Sequence, residues 1–261
     1  MNDYPTSIGT SDADSISLLG KDLASELLGT VGFGELAFWL VALRRPTPGE
    51  LRLFEAVLVA LADHGLTPSA LAARLTLTGA PESIQGAVAA GLLGGGSRFL
   101  GVTEDCARFL ATALASADVA PGDDEAYDTL ARRAVTEQRA AGRFVPGLGH
   151  PNHKVEDPRT PVMFRLAAEE GVLGPHLLLF AAVGRVHPEI LGRTMPLNGA
   201  GVCGAVLADL GFSADLVRGF ALLARTAGLL GHIAEEQRRP IGLALYQDVH
   251  EATRYEPPTG S

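Results

Sequence analysis

Pro146-Gly147-Leu148-Gly149-His150-Pro151-Asn152-His153-Lys154-Val155-Glu156-Asp157-Pro158-Arg159 places a glycine-loosened backbone, a histidine able to donate or accept a hydrogen bond, and two fixed cations within one short stretch. Glycines leave backbone N–H groups uncovered, so a ligand can come close. Lys154 brings a point charge, and Arg159, directly after a proline turn, brings a planar fork suited to a carboxylate. The same composition also suits a solvated surface loop, so two readings stay open: an anion cradle or a plain connection.

Helical patterns flank this loop on both sides. Residues 125–141, charged on one face, lead into it, and residues 160–168, 173–186 and 188–191 follow as further helical pieces. Further out, residues 103–117 read as a helix before the Pro/Gly/Asp loop at 120–124. Pro196-Leu197-Asn198-Gly199-Ala200-Gly201 is a second glycine-bearing turn that opens an apolar helix over 202–210. Residues 83–93 are rich in small residues, which lets helices approach closely, and Gly94-Gly95-Gly96-Ser97 reads either as a cap with a flexible turn or as part of a site. From Glu50, the positions Leu51, Phe54, Val57, Leu58, Leu61 and Ala62 follow the i, i+3, i+4, i+7 spacing of an amphipathic helix that stops at Asp63-His64-Gly65, with Gly65 as a C-cap. Thr67-Pro68-Ser69 starts another helix with proline in its first turn. Helices are also expected over 16–28, 35–43 and 216–236, with a polar tail over 248–261. No stretch sustains period-two alternation and no internal repeat is evident, so the fold class is all-α.

Composition bounds the function. The 261 residues suffice for one large domain or two modest ones, and a net charge of −9 without a basic stripe argues against nucleic acid as a partner. Cys106 and Cys203 sit far apart in apolar surroundings, as buried thiols of a reducing compartment do. Residues 1–17 are polar and acidic, unlike a signal peptide, and apolar runs such as 177–183 fall short of the roughly 20 residues a membrane span needs. Cytoplasmic residence, with no membrane partner, is the expectation. There is no His-x-x-x-His or Glu-x-x-His spacing, no Gly-x-Ser-x-Gly elbow and no nucleotide-hydrolase phosphate loop, so no metal is expected. Polar groups in apolar settings are His64, Arg225, His232 and the pair Arg238-Arg239. Taken singly each has a structural reading: His64 as a helix-end residue on the dipole, His232 as a satisfied core histidine.

Gly-x-Gly-His-x-x-x-Lys-x-x-Asp-Pro-Arg, here Gly147 to Arg159, resembles the signature of the citrate synthase superfamily, whose short members are citryl-CoA lyases. The resemblance runs from about residue 50 to 245. Ala62-Asp63-His64-Gly65 is similar to the family's Asp-His segment, which implies that His64 holds a dicarboxylate. It further implies that Arg159, Arg225 and Arg239 grip carboxylates, Arg239 by reaching into the neighbouring subunit's site. His150 would polarise the ketone or hydroxyl oxygen of oxaloacetate or of the matching half of citrate. Lys154 with the backbone of Gly147, Leu148 and Gly149 would face coenzyme A, present as a thioester substrate. Arginine forks make chemical sense here, because desolvating two or three carboxylates without them is costly.

Two family positions are altered. The family's histidine, which donates to the thioester oxygen, falls at Phe99 or, with a one-residue shift, at Arg98; the family's aspartate, which takes the α-proton, falls at Ala200. A phenyl ring donates no comparable hydrogen bond and a methyl group takes no proton. Glu104 and Asp105 are the nearest carboxylates in sequence to the first turn. Three readings remain: a lyase-like enzyme with rewired acid–base groups, a catalytically silent binder of a CoA ester or dicarboxylate, or a retained fold alone. The resemblance implies a large helical domain (1–111 and 195–261), a small one (112–194), a cleft between them, and a homodimer.

Overall fold

The computed structural model describes residues 3–258. The extreme ends of the expected polar leader and tail, 1–2 and 259–261, lie outside the described residues. Helices α1 (Phe33–Ala42), α2 (Pro48–Ala62), α3 (Pro68–Gly79), α4 (Ile84–Leu93), α5 (Gly101–Ala115) and α6 (Asp124–Ala140) precede the loop that opens the sequence reading. After it come α7 (Arg159–Glu169), α8 (Pro175–Leu191), α9 (Gly199–Asp209), α10 (Ala214–Arg238) and α11 (Gly242–Ala252). The all-α class therefore holds.

Local chemistry explains where these helices begin. Thr47 caps α2 in a reciprocal box with Glu50, with Pro48 in the first turn. Thr67 caps α3 ahead of Pro68, Ser83 caps α4, Asp123 caps α6 and Asn198 caps α9. The two pieces expected over 173–186 and 188–191 are one helix. Pro188 lies in its last turn, where it removes the bond an N–H would have made to the Gly184 carbonyl without ending the helix, which runs on to Leu191.

Two expectations fail. Residues 16–28 form no α-helix: strands β1 (Gly9–Ser11), β2 (Ile16–Leu18) and β3 (Lys21–Asp22) make an antiparallel ribbon, followed by a single π-turn over Leu23–Leu27. Leu19 and Gly20 both take positive φ, 53° and 73°, the backbone of a tight hairpin turn, and this breaks the apolar periodicity that suggested a helix. The tail is helical through Ala252, because Glu236 accepts the backbone N–H groups of Ile241 (3.0 Å) and Gly242 (2.7 Å) and so starts α11.

One contiguous apolar core joins α2, α5, α6, α8, α9 and α10. Phe38, Phe54, Phe212 and Phe220 interlock in it with ring centroids 4.5 to 6.0 Å apart. Helix α9 is buried along nearly its whole length, and Gly204 lets it press against α5, since a Cβ there would sit 2.2 Å from the Thr103 carbonyl oxygen. Cys106 and Cys203 are both in this core, and burial raises both thiols, Cys203 to about 12, so neither offers a thiolate. At 25 residues α10 is long and apolar enough to cross a membrane by length and composition, which corrects the expectation that no segment reaches that length. It packs on α2, α3, α4, α5 and α9 and buries Arg225 and Glu236, the pattern of a core helix.

Candidate functional site

The loop and the second glycine turn, 50 residues apart, are clipped together. Gly149 N–H donates to Pro196 O (2.8 Å), Asn198 N–H to Gly147 O (2.8 Å), and the Asn198 side-chain amide to Gly149 O (2.8 Å). Gly147 and Gly149 have φ of 85° and 81°, which β-carbon-bearing residues rarely adopt. Their joint product is one wall of a cleft of about 1130 Å³. His64, His150, Arg159, Arg225, Gly147, Leu148, Gly149, Phe99, Ala200 and Arg98 all line it, so residues spread from 64 to 225 converge.

Two predicted residues stand elsewhere. Lys154 is not in the wall, and its Nζ turns back to donate to His150 O at 3.2 Å. Arg239 is the exposed C-cap of α10 and does not line the cleft of its own chain.

His150 has a defined proton. Its Nδ1 accepts the backbone N–H of Asn152 (3.1 Å) and of His153 (3.0 Å), so the ring's own proton must sit on Nε2. Burial pushes its pKa down to about 4, helped by His153, so the ring is neutral at pH 7. The neutral Nε2–H is a donor for an oxygen.

His153 was missed as a site residue, although it lies in the quoted motif. Its ring centroid lies 4.4 Å from that of His150, with the planes tilted, and 6.0 Å from that of His64, edge-on, and the three rings offer nitrogens within 4.8 Å of one another. Such a trio is a metal-ligand set only if each ring turns a bare nitrogen inward. His150 does not: Nδ1 is taken by two backbone donors, and Nε2 carries the proton. His150 thus presents a hydrogen-bond donor to the cleft, which suits a carboxylate or carbonyl oxygen.

The arginines are anchored at one place, the C-terminal end of α2, whose last carbonyls lack helical partners. Arg159 Nη1 donates to Ala60 O (3.2 Å), while Arg225 Nε and Nη2 both donate to Leu61 O (3.3 Å) and its Nη1 to Thr67 Oγ1 (3.4 Å). Beyond that they differ. Arg159 makes a fork with Asp157, Nε to Oδ1 at 3.0 Å and Nη2 to Oδ2 at 2.8 Å, and Asp157 is fully buried. Burial alone would raise the Asp157 carboxyl, but Arg159 and the Gly199 N–H (2.7 Å) hold it well below the usual range. Gly199 is required for this: a Cβ would lie 2.1 Å from Arg159 Nε. Arg225 has no carboxylate within hydrogen-bond reach among the described residues; burial lowers its pKa, the Asp63 carboxylate partly offsets this through space, and repulsion from Arg159 adds to the lowering. Each guanidinium has five N–H groups, of which three are engaged, leaving two on each for a ligand.

At the altered positions, Phe99 is half-exposed and Ala200 lies in the wall, so neither supplies an acid or base. Asp105 and Glu137 are the two carboxylates in the wall. The wall also carries four more arginines, Arg98, Arg108, Arg133 and Arg143, which stand among Phe99, Phe109 and Phe144.

Comparison with known proteins agrees with this architecture. The family described as citrate synthase, C-terminal domain, matches residues 20–242. The structure is similar to that of citryl-CoA lyase from Hydrogenobacter thermophilus, with 28% identity, 99% of this chain and 97% of that one covered, and a TM-score of 0.85. It shares its fold with ATP citrate lyase from Methanothrix soehngenii, solved in complex with citrate and coenzyme A, at 24% identity and TM-score 0.80, covering 100% of this chain and 42% of that one. A probable ATP-citrate synthase of Dictyostelium discoideum is 24% identical over 92% of this chain, which spans 39% of that relative's length.

Proposed function

The chain belongs to the citrate synthase family, and on that premise we propose that it binds a di- or tricarboxylate together with a CoA thioester and acts in Claisen- or aldol-type carbon–carbon bond cleavage or formation with altered acid–base groups. The observation that carries this reading is the convergence of His64, neutral His150, Arg159 and Arg225 on one cleft. Free N–H groups on both guanidiniums would take carboxylate oxygens. His150 Nε2–H would donate to the ketone or hydroxyl oxygen, stabilising the negative charge that builds there as the carbon–carbon bond forms onto the ketone or, in the cleavage direction, as the hydroxyl gives up its proton before the bond breaks. Arg98, Arg133 and Arg143 with the exposed Phe144 supply cations and an apolar face suited to the phosphates and pantetheine arm of coenzyme A. Lys154 and the 147–149 backbone belong to that side in the same proposal. The unit we propose is a cytoplasmic homodimer, with 1–111 and 195–261 as its large domain and 112–194 as its small one. Arg239, exposed at the end of α10, would complete the partner's pocket.

One observation favours a second reading. Cleavage also needs a group to take the hydroxyl proton and a group to protonate the enolate carbon, and Ala200 does neither. The chain could then be a silent binder that serves as a regulatory or paired subunit. Calorimetric titration with oxaloacetate, citrate and CoA tests the shared part: saturable heat with a dicarboxylate, weakened in Arg159→Ala, is expected, and no heat with any of them overturns it. Assay of citryl-CoA cleavage then separates the readings. Measurable turnover supports the enzyme. Its absence, with turnover appearing in the double variant Phe99→His, Ala200→Asp, supports the silent binder.

A further inference from the structure

His64 reaches the cleft from a short turn between α2 and α3, and a three-element chain of hydrogen bonds stands behind that turn. It is read along one stripe of α10. Arg225 donates to the Leu61 carbonyl; one turn on, Gly228 presses against the next carbonyl, where a Cβ would sit 2.0 Å from Ala62 O; one turn further, His232 meets Asp63. The stripe thus matches the end of α2 residue by residue, and its last member touches the residue preceding His64.

The protons in this chain are determined. Arg74 is 2% exposed and clamped by Glu236 (3.3 Å) and Glu235. A guanidinium can only donate, so the contact from Arg74 Nε to His232 Nδ1 at 3.3 Å makes Nδ1 the acceptor and leaves the proton on Nε2. That Nε2–H donates to Asp63 Oδ1 at 2.8 Å. The other oxygen of Asp63 accepts the Gly65 N–H at 2.7 Å, closing the turn over His64. Gly65 itself has φ of 73°, so the turn depends on this closure around a left-handed residue.

We infer that Arg74, His232 and Asp63 form a positioning relay that holds the 63–65 turn and so aims His64 at the substrate carboxylate. His232 is then a positioning residue rather than an inert core histidine, and the relay ends at Glu235 and Glu236, three residues before Arg239. The inference rests on the dicarboxylate reading of the cleft for its functional consequence, but not for its geometry.

The test uses the full chain labelled at histidine nitrogens, with and without oxaloacetate. Without ligand, His232 should show its proton on Nε2, and His232→Leu should shift the His64 ring signals while His232→Gln, which keeps an acceptor and a donor, should leave them near their original positions. With ligand, His232→Leu and Asp63→Ala should weaken oxaloacetate binding by about tenfold or more, as loss of groups that orient a ligand-contacting histidine does. CoA binding should change less than about twofold, and His232→Gln should restore most of the loss. A purely structural role would lower the melting temperature without separating the two ligands. His232 protonated on Nδ1, or unmoved His64 signals in folded His232→Leu, would overturn the relay whatever the affinity. If His64 signals move but the parent chain binds no dicarboxylate, the relay stands and the carboxylate reading is what fails.

Discussion

The Asp157–Arg159 corner and the α10 face bearing Arg225 put the same side chain at the same helix end, with opposite electrostatic outcomes. Arg159 arrives with its own buried carboxylate, in a fork that Gly199 leaves room for. Arg225 hydrogen-bonds one carbonyl and one hydroxyl, with the Asp63 carboxylate attracting it only through space. A buried cation held by neutral dipoles is poorly compensated, so it gains most when an anion enters. Converging arginines are thus not equivalent signs of an anion site: one is largely an anchor for the loop, and the other is the unsatisfied charge.

The largest effect should come from breaking the anchor. Asp157→Ala leaves Arg159 half-buried without its partner and strips Gly199 N–H of its acceptor, so denaturant unfolding should show a loss of about 3–5 kcal/mol. A loss below about 1 kcal/mol would mean that the corner does not hold the loop. Next, Arg225→Met should weaken dicarboxylate binding by about 100-fold, about 2.7 kcal/mol, while thermal stability stays level or rises, since an uncompensated buried charge is removed. If Arg159→Met costs as much affinity with no loss of stability, the asymmetry is wrong.

Acid titration separates the regions by pH. His150 titrates lower in the folded chain, at about 4 against an ordinary 6.5, because of burial and His153. Between these values the unfolded chain binds a proton that the folded chain refuses, so this contribution to stability is complete above pH 6.5 and declines as pH falls towards 4. Asp157 is depressed in the folded chain, so its contribution is present above its ordinary 3.8 and is lost only below that. His150→Asn should therefore flatten the upper part of a stability–pH curve and leave the lower part intact. The smallest effect expected is none: a chelator should leave dicarboxylate affinity unchanged, because His150 turns a protonated nitrogen to the cleft. A drop in affinity on chelation, restored by a divalent cation, would make the three histidines a metal site.

Much of the helical frame was legible because its signals are local. Thr47 with Glu50, Thr67 with Pro68, and Asn198 before two small residues each determine a helix start through contacts within four residues. The 16–28 segment misled because an amphipathic pattern there competes with a turn whose left-handed residues include Leu19, which gives no sequence signal. Among site residues, His64, His150, Arg159 and Arg225 were identified by motif and order, and they do share a cleft. His153 and Asp157 lay inside the quoted motif unread, since nothing in a linear string says that one ring packs against His150 or that one carboxylate folds back on Arg159.

By itself the sequence determined the fold class, the family's loop, and the absence of a carboxylate at 200 and of a histidine at 99, because these are matters of residue identity and short-range spacing. Only the tertiary structure decided which arginine is already neutralised, which nitrogen of His150 carries the proton, and what stands behind His64. Some of the partners are two or three residues off, as Asp157 is from Arg159 and Asn152 and His153 are from His150, and one is 169 residues off, as His232 is from Asp63; in each case the balance is settled by how the groups are turned in space, which their order in the chain does not state.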